Sequence, residues 1–183
     1  MSSLSWPEVV PTLTDGSVSL RAWRSSDVDA VFEACQDPDT QHWLPIPVPY
    51  LVEHARGFID VFAPQQWSSG RGTPFAAVDT HTGRLLGAPS LKDVDSDRRV
   101  AEVGYWVAPW ARGRKVAQRS VRLMCDWAFT EVGLRRLEFL IEPTNAASCA
   151  VAESVGGVLE ELFPEKEVIH GTSRDMALYA VQG

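Results

Sequence analysis

The sequence predicts an α/β (α+β) domain in which one mixed sheet carries helices on both faces. Three observations lead there. Segments with strand alternation and segments with helical spacing follow one another along the chain in the order β-α-α-β-β-β-α-β-α-β-β. The length, 183 residues, suits one domain, because domains hold ~150 residues and a chain of this size buries roughly two thirds of its unfolded surface. No internal repeat or linker-like stretch divides it, so residues 1–183 read as a single unit.

Taken in order, residues 1–12 are expected to be a flexible arm that runs on to a turn at Asp15-Gly16. Val18 to Trp23 alternates as a strand does. Ser25, Ser26 and Asp27 offer an N-cap for a helix bearing Val28, Val31, Phe32 and Cys35 on one stripe. Asp37-Pro38-Asp39 is expected to stop that helix. Prolines 45, 47 and 49 make 43–50 an extended loop, and Leu51 to Phe62 reads as a second amphipathic helix. Phe75–Val78 and Leu85–Leu91 flank His81-Thr82-Gly83 as a hairpin. Val100 to Val107 is a long strand, with Gly104 marking an expected bulge. Val116, Ser120, Val121, Met124 and Trp127 form a helical stripe that ends near Gly133. Leu137–Ile141 is a strand, Asn145–Val155 a helix closed by Gly156-Gly157, and Val158–Phe163 and Thr172–Val181 are the last strands.

Charge and cysteine usage exclude several functions. A formal charge of -7 disfavours nucleic acid and anionic membranes as partners, since binders of either are basic. Cys35, Cys125 and Cys149 are an odd number without a C-x-x-C pair, so neither a disulfide framework nor a structural zinc site is expected. The four histidines have no metal-ligand spacing. Met1 to Pro7 lacks the charged start and apolar core of a secretory leader, and no apolar run approaches the roughly 20 residues of a membrane span. The expected location is cytoplasmic.

One segment breaks the acidic balance. Arg112, Arg114, Lys115, Arg119 and Arg122 fall within eleven residues that hold no acid. They lie where a strand runs through a Gly-containing loop into a long helix. Such a junction presents unpaired backbone N–H groups and the positive end of the helix dipole, which suits a phosphate. A solvated helix start with incidental arginines is the plainer alternative.

Six stretches in order carry a resemblance: Leu20 to Trp23, Ala101 to Trp106, Pro109 with Ala111 to Arg114, Trp127 to Phe129, Asn145 to Ser148, and Arg174-Asp175. Over about residues 12–181 the chain resembles the GNAT acetyltransferases, in the branch of the ribosomal-protein N-terminal enzymes (RimJ/RimL type). The resemblance implies a twisted, mostly antiparallel sheet and an acetyl-CoA co-substrate, with no metal. It implies a pyrophosphate on the backbone amides of Arg112, Gly113, Arg114, Lys115, Val116 and Ala117, with Tyr105, Trp106 and Val107 beside the thioester arm. Lys115 stands where that family has its central glycine, Gly157 where it has a bulky aromatic, and Glu161 where glycine is frequent.

The resemblance also implies catalytic roles. Glu102 is the expected base, with Glu160 as an alternative. The Val107 N–H is the expected donor to the carbonyl oxygen. Asn145 contacts the cofactor, and Ser148 both contacts it and protonates the leaving sulfur. Each has a plainer role: Glu102 in an ion pair, Asn145 as an N-cap, Ser148 as a first-turn hydroxyl. Trp43 and Tyr50 are expected on the acceptor side, where loop packing is their alternative. The implied reaction is acetyl transfer from acetyl-CoA to a primary amine, on a small molecule or a peptide, by a monomer or homodimer. The alternative is a diverged scaffold in which Lys115 marks a binding or regulatory role, or other biosynthetic chemistry.

Overall fold

The computed structural model describes residues 4–183. Strands β1 (Leu13–Thr14) and β2 (Val18–Arg21) come first. Helices α1 (Val28–Ala34), α2 (Pro38–Trp43), α3 (Val52–Arg56) and α4 (Ala63–Ser68) follow, the last two joined by a π-type segment, Gly57–Phe62. Then come β3 (Ala76–Asp79), β4 (Leu85–Asp95), β5 (Val100–Val107), α5 (Val116–Trp127), β6 (Arg136–Ile141), α6 (Ala146–Ser154), β7 (Val158–Ile169) and β8 (Thr172–Gln182). The eight strands form one sheet in the order β1-β2-β3-β4-β5-β6-β8-β7. Only the β5–β6 pair is parallel.

Alternation along the strands sends successive side chains to opposite faces. Ala77 and Leu86 pack with Val116, Val121, Met124 and Cys125 of α5. Their neighbours Ala76, Val78 and Leu85 pack with Val28, Val31, Ala55 and Ile59 of α1 and the α3 segment. The sheet thus has helices on both faces, as the sequence predicts.

The β5–β6 pair is short. It is paired only at Val100↔Arg136, Ala101↔Leu137 and Glu102↔Glu138. Beyond Glu102, β5 continues to Val107 beside β4 alone, and β6 continues to Ile141 beside β8 alone. The two strands therefore part and leave a cleft in the middle of the sheet.

Four expectations are corrected. The β4–β5 register runs unbroken from Gly87↔Val107 to Lys92↔Glu102, so Gly104 is not a bulge; the irregularity lies between Lys92 and Asp95. A Cβ at Gly104 would lie 3.2 Å from the Lys92 side chain, so this glycine clears the path of Lys92. Asp37-Pro38 starts a helix as well as stopping one: Asp37 accepts the Thr40 N–H and Pro38 takes the first turn, where its missing N–H costs nothing. The helical path of 51–62 extends through Pro64 to Ser68, because the π-type segment ahead of Pro64 accommodates the missing donor. Within the arm expected over 1–12, Ser5 donates to the Val132 carbonyl. Trp6 packs 5.5 Å from Trp67 and 6.4 Å from Trp127 and donates to the Trp67 carbonyl. The arm is pinned there by aromatic burial; residues 1–3 lie outside the described residues.

Candidate active site

The loop after β5 has the geometry of an anion cradle. Pro109–Ala111 makes one 3₁₀ turn, and Gly113 (φ 75°) and Lys115 (φ 57°) are both left-handed. Lys115 is the N-cap of α5, whose first N–H groups have no intrahelical partner. For a non-glycine residue this conformation costs about 1–2 kcal/mol. Lysine thus adopts the backbone form that glycine would take freely, and the loop keeps its shape at the expense of strain.

The basic run is not a uniform patch. Arg112 donates to Asp37 at 2.5 Å and to Thr40 at 3.0 Å, fastening the loop to the start of α2. Arg112 in turn holds the Asp37 carboxyl below its ordinary range. Arg119 pairs with Asp15 at 2.6 Å, Arg114 lies 3.9 Å from Asp79, and Arg122 donates to the Ser154 carbonyl. Among the described residues, Lys115 alone in the run has neither an ion-pair partner nor a side-chain hydrogen bond.

A cavity of about 480 Å³ opens at this loop and runs between the end of β5 and the start of α6. It brings together eight expected residues: Tyr105, Trp106, Val107, Arg112, Gly113, Lys115, Val116 and Ala117. Asn145 and Ser148, from the start of α6, join them. Arg114 is not in the wall. Trp43, expected on the acceptor side, lines this first cavity instead, because α2 folds over the loop. Gln118 and Ala147 also line it; their signal was their place in the first turns of α5 and α6.

Backbone polarity continues the cradle into the cleft. Ala108 donates to the Leu86 carbonyl across β4. Alternation then turns the Val107 N–H to the other edge of β5, where β6 has already departed. At the same level the Tyr105 hydroxyl lies 2.7 Å from the Ser148 Oγ. Asn145 caps α6 by accepting the Ser148 N–H at 3.1 Å, which fixes that serine. Burial, opposed by the Ser148 contact, pushes the Tyr105 hydroxyl up to about 12, so it is protonated.

A second cavity of about 440 Å³ lies on the α1/α3 side of the sheet. Leu44, Tyr105 and Trp106 line both, so the two cavities adjoin across these residues. Tyr50 lines the second. Burial holds its hydroxyl well above the usual tyrosine range.

Glu102 lies two residues before Gly104 on the same face of β5, roughly 7 Å along the strand. Gly104 and Lys92 line the second cavity, and Lys92 Nζ is 2.5 Å from the Glu102 carboxylate. Burial raises the Glu102 pKa and Lys92 opposes it; Glu167 and Asp93 push in the same direction as burial. Glu160 is placed elsewhere. It forms a two-pronged pair with Arg136 at 2.9 and 2.5 Å, which lowers its pKa; neither Glu160 nor Glu102 itself lines either cavity.

Gly157 does not line the first cavity. A Cβ there would lie 2.7 Å from the Ala152 carbonyl oxygen, whose partner is the Gly157 N–H. It serves to close α6. The three cysteines are free; burial raises Cys35 to about 11 and Cys125 to about 12, which keeps both as inert thiols. Among the described residues no group of His, Cys, Asp or Glu could hold a metal ion, and no helix is long and apolar enough to cross a membrane.

Residues 17–158 match the acetyltransferase (GNAT) domain family. The chain belongs to that family. It is 24% identical to the uncharacterized N-acetyltransferase p20 of Bacillus licheniformis over 93% of this chain and 95% of that one. Mycobacterium smegmatis RimJ, solved in complex with CoA-disulfide, superposes with a TM-score of 0.84 at 27% identity, covering 100% of this chain and 90% of RimJ. Vibrio cholerae spermidine N-acetyltransferase, solved with CoA and spermine, shares the fold: TM-score 0.78 at 17% identity, over 92% of this chain and 96% of that one.

Proposed function

We propose that this GNAT acetyltransferase moves an acetyl group from acetyl-CoA to a primary amine by direct attack on the thioester. The observation that carries the reading is the single cavity that joins the Arg112–Ala117 loop, with its left-handed Gly113 and Lys115, to the Tyr105–Ser148 pair between β5 and α6. The residues present fit the cofactor. The free N–H groups of α5, with Lys115 unpaired beside them, suit the pyrophosphate, and the cleft suits the pantetheine arm. Acetyl-CoA supplies the activated acetyl group and a thiolate leaving group.

This chain's residues supply the rest. The Val107 N–H, free of a strand partner, faces the developing oxyanion. The ammonium gives up two protons over the cycle as its nitrogen bonds the acetyl carbon and the C–S bond breaks. Glu102, its affinity for protons raised by burial, takes one at the Lys92 end of the second cavity, through water. Ser148 protonates the departing sulfur and is resupplied by the Tyr105 hydroxyl, and the second proton from nitrogen returns through water to Tyr105, so that one proton ends on the thiol and one on Glu102. Asn145 sets the Ser148 position. Lys115 supports cofactor binding over the diverged-scaffold alternative, because it keeps the loop's left-handed form.

Thermal denaturation with acetyl-CoA tests the reading. A ligand at 100 times its Kd stabilises by about 2.7 kcal/mol, and a rise in Tm is expected. No rise at millimolar acetyl-CoA overturns the proposal.

A further inference from the structure

The second cavity has a specific chemical character. Its volume of about 440 Å³ lies within the usual range of small-molecule sites. Apolar side chains such as Val31, Ile46, Phe58 and Phe62 make up most of its wall. The one charged residue among its lining residues is Lys92, and that ammonium is taken by Glu102 at 2.5 Å. Among the described residues no carboxylate lines the wall.

Those facts select among amines. A polyamine would bury ammonium groups beyond the reacting one, and the one carboxylate behind the wall, Glu102, is already paired with Lys92; unpaired buried charge is strongly disfavoured. An acidic peptide would bring carboxylates to a cation that is already paired. A singly charged amine with an apolar body meets neither obstacle. The aromatics indicate the size of that body. Phe58 and Phe62 are stacked at 5.8 Å and 25°, and Trp23 braces Phe58 edge-on at 5.2 Å. Phe62 is 49% exposed, so part of its surface is left for a ligand.

We infer that the second cavity selects a monoamine bearing an aromatic-sized apolar group: an arylalkylamine, or a peptide α-amine whose first residue is aromatic. The amino group lies where the cavities adjoin, at Leu44, Tyr105 and Trp106, and the apolar group lies toward Phe58 and Phe62. This rests on the acetyl-transfer reading and names its acceptor class.

The test pairs turnover with binding. Acetyl transfer is measured with 2-phenylethylamine, a phenylalanine-first tripeptide, spermidine and a Ser-Asp-Glu tripeptide. Binding of 2-phenylethylamine to CoA-saturated protein is measured separately by calorimetry. The aromatic amines are expected to exceed the other two by at least about tenfold in kcat/KM, and the preferred one of the pair tells a small molecule from a peptide. Phe62→Ala, a change at a half-exposed residue, should raise KM for phenylethylamine more than it lowers kcat; Phe58→Ala should act in the same direction. A preference for spermidine or the acidic peptide overturns the acceptor class and leaves acetyl transfer standing. Binding of phenylethylamine without transfer to any amine keeps the cavity assignment and overturns the transferase reading. Neither binding nor transfer overturns both.

Discussion

The Tyr105 hydroxyl and the Ser148 Oγ, 43 residues apart in sequence, lie 2.7 Å from each other in the wall of the first cavity, and Tyr105 also lines the second. One strand and one helix start supply them, on either side of the β5–β6 cleft. If they act as one proton-delivery unit, their losses do not add. Tyr105→Phe and Ser148→Ala should each lower kcat by about 10²-fold, with the double variant little worse than the more damaging single one. Steady-state kinetics on the three variants checks this, and calorimetric CoA binding should stay within a few-fold.

Glu102 gives a pH dependence whose sign follows from burial. Its raised pKa means the carboxyl stays protonated above the usual carboxylate range. A base must be deprotonated, so kcat/KM should rise as pH climbs through that raised value. Glu102→Gln should remove this acidic limb and cost about 10²-fold or more in rate, with CoA affinity retained. A pH–rate profile of both proteins decides it. Folding stability runs the other way: the native state binds the extra proton, so Glu102 costs stability as pH rises through the same window.

Lys115 combines strain with an unpaired charge. Lys115→Gly should relieve the left-handed penalty, and a gain of about 1 kcal/mol would raise Tm by roughly 2–4 °C in a chain of this length. CoA affinity should nevertheless fall by about 3–10-fold, since a cation beside an anion is worth roughly 1 kcal/mol near a surface. Its dependence on salt should flatten. Differential scanning calorimetry and CoA titrations at two salt concentrations measure both effects.

Asp15 and Arg119 tie the β1–β2 turn to α5 at 2.6 Å. The hydrogen bond from Arg119, with backbone N–H groups of Ser17 and Val18, lowers Asp15 from 3.8 to about 2. A lowered carboxyl pKa stabilises above the unfolded value and loses that stability as pH falls through the folded one. Asp15→Asn should therefore flatten the loss of Tm between about pH 4 and pH 2 and cost about 0.5–1 kcal/mol at neutral pH. Acid denaturation of the two proteins compares them.

Local chemistry in the sequence was readable and remote contact was not. The strand–loop–helix at Val107–Ala117 announced an anion cradle through residue type and order, and Asn145 announced a helix cap. Position alone could not show that Lys115 would take a glycine's conformation, since that depends on the loop being held by Arg112 against Asp37. Gly104 signalled a special site, but its cause lies across the sheet in the Lys92 side chain. Tyr105 is expected beside the cofactor only through the family resemblance, and it lines the first cavity. Its pairing with Ser148 required the cleft, which arises because β5 and β6 stay paired for only three residues. Trp43 moved to the first cavity because Asp37-Pro38 nucleates a helix as readily as it ends one. The apolar second cavity gathers residues from α1, the α3 segment, β4 and β5, a grouping that periodicity does not encode.

The central claim is that the first cavity delivers an acetyl group to an amine seated in the second. It is decided by following CoA-thiol release and N-acetyl product by mass spectrometry, from acetyl-CoA and each of the four amines, for the wild-type chain and Tyr105→Phe. The expected result is product and thiol formed in equal amounts with at least one amine, at a rate that Tyr105→Phe lowers about 10²-fold. Bound acetyl-CoA with no amine-dependent thiol release from the wild-type chain would show that the two cavities do not work together.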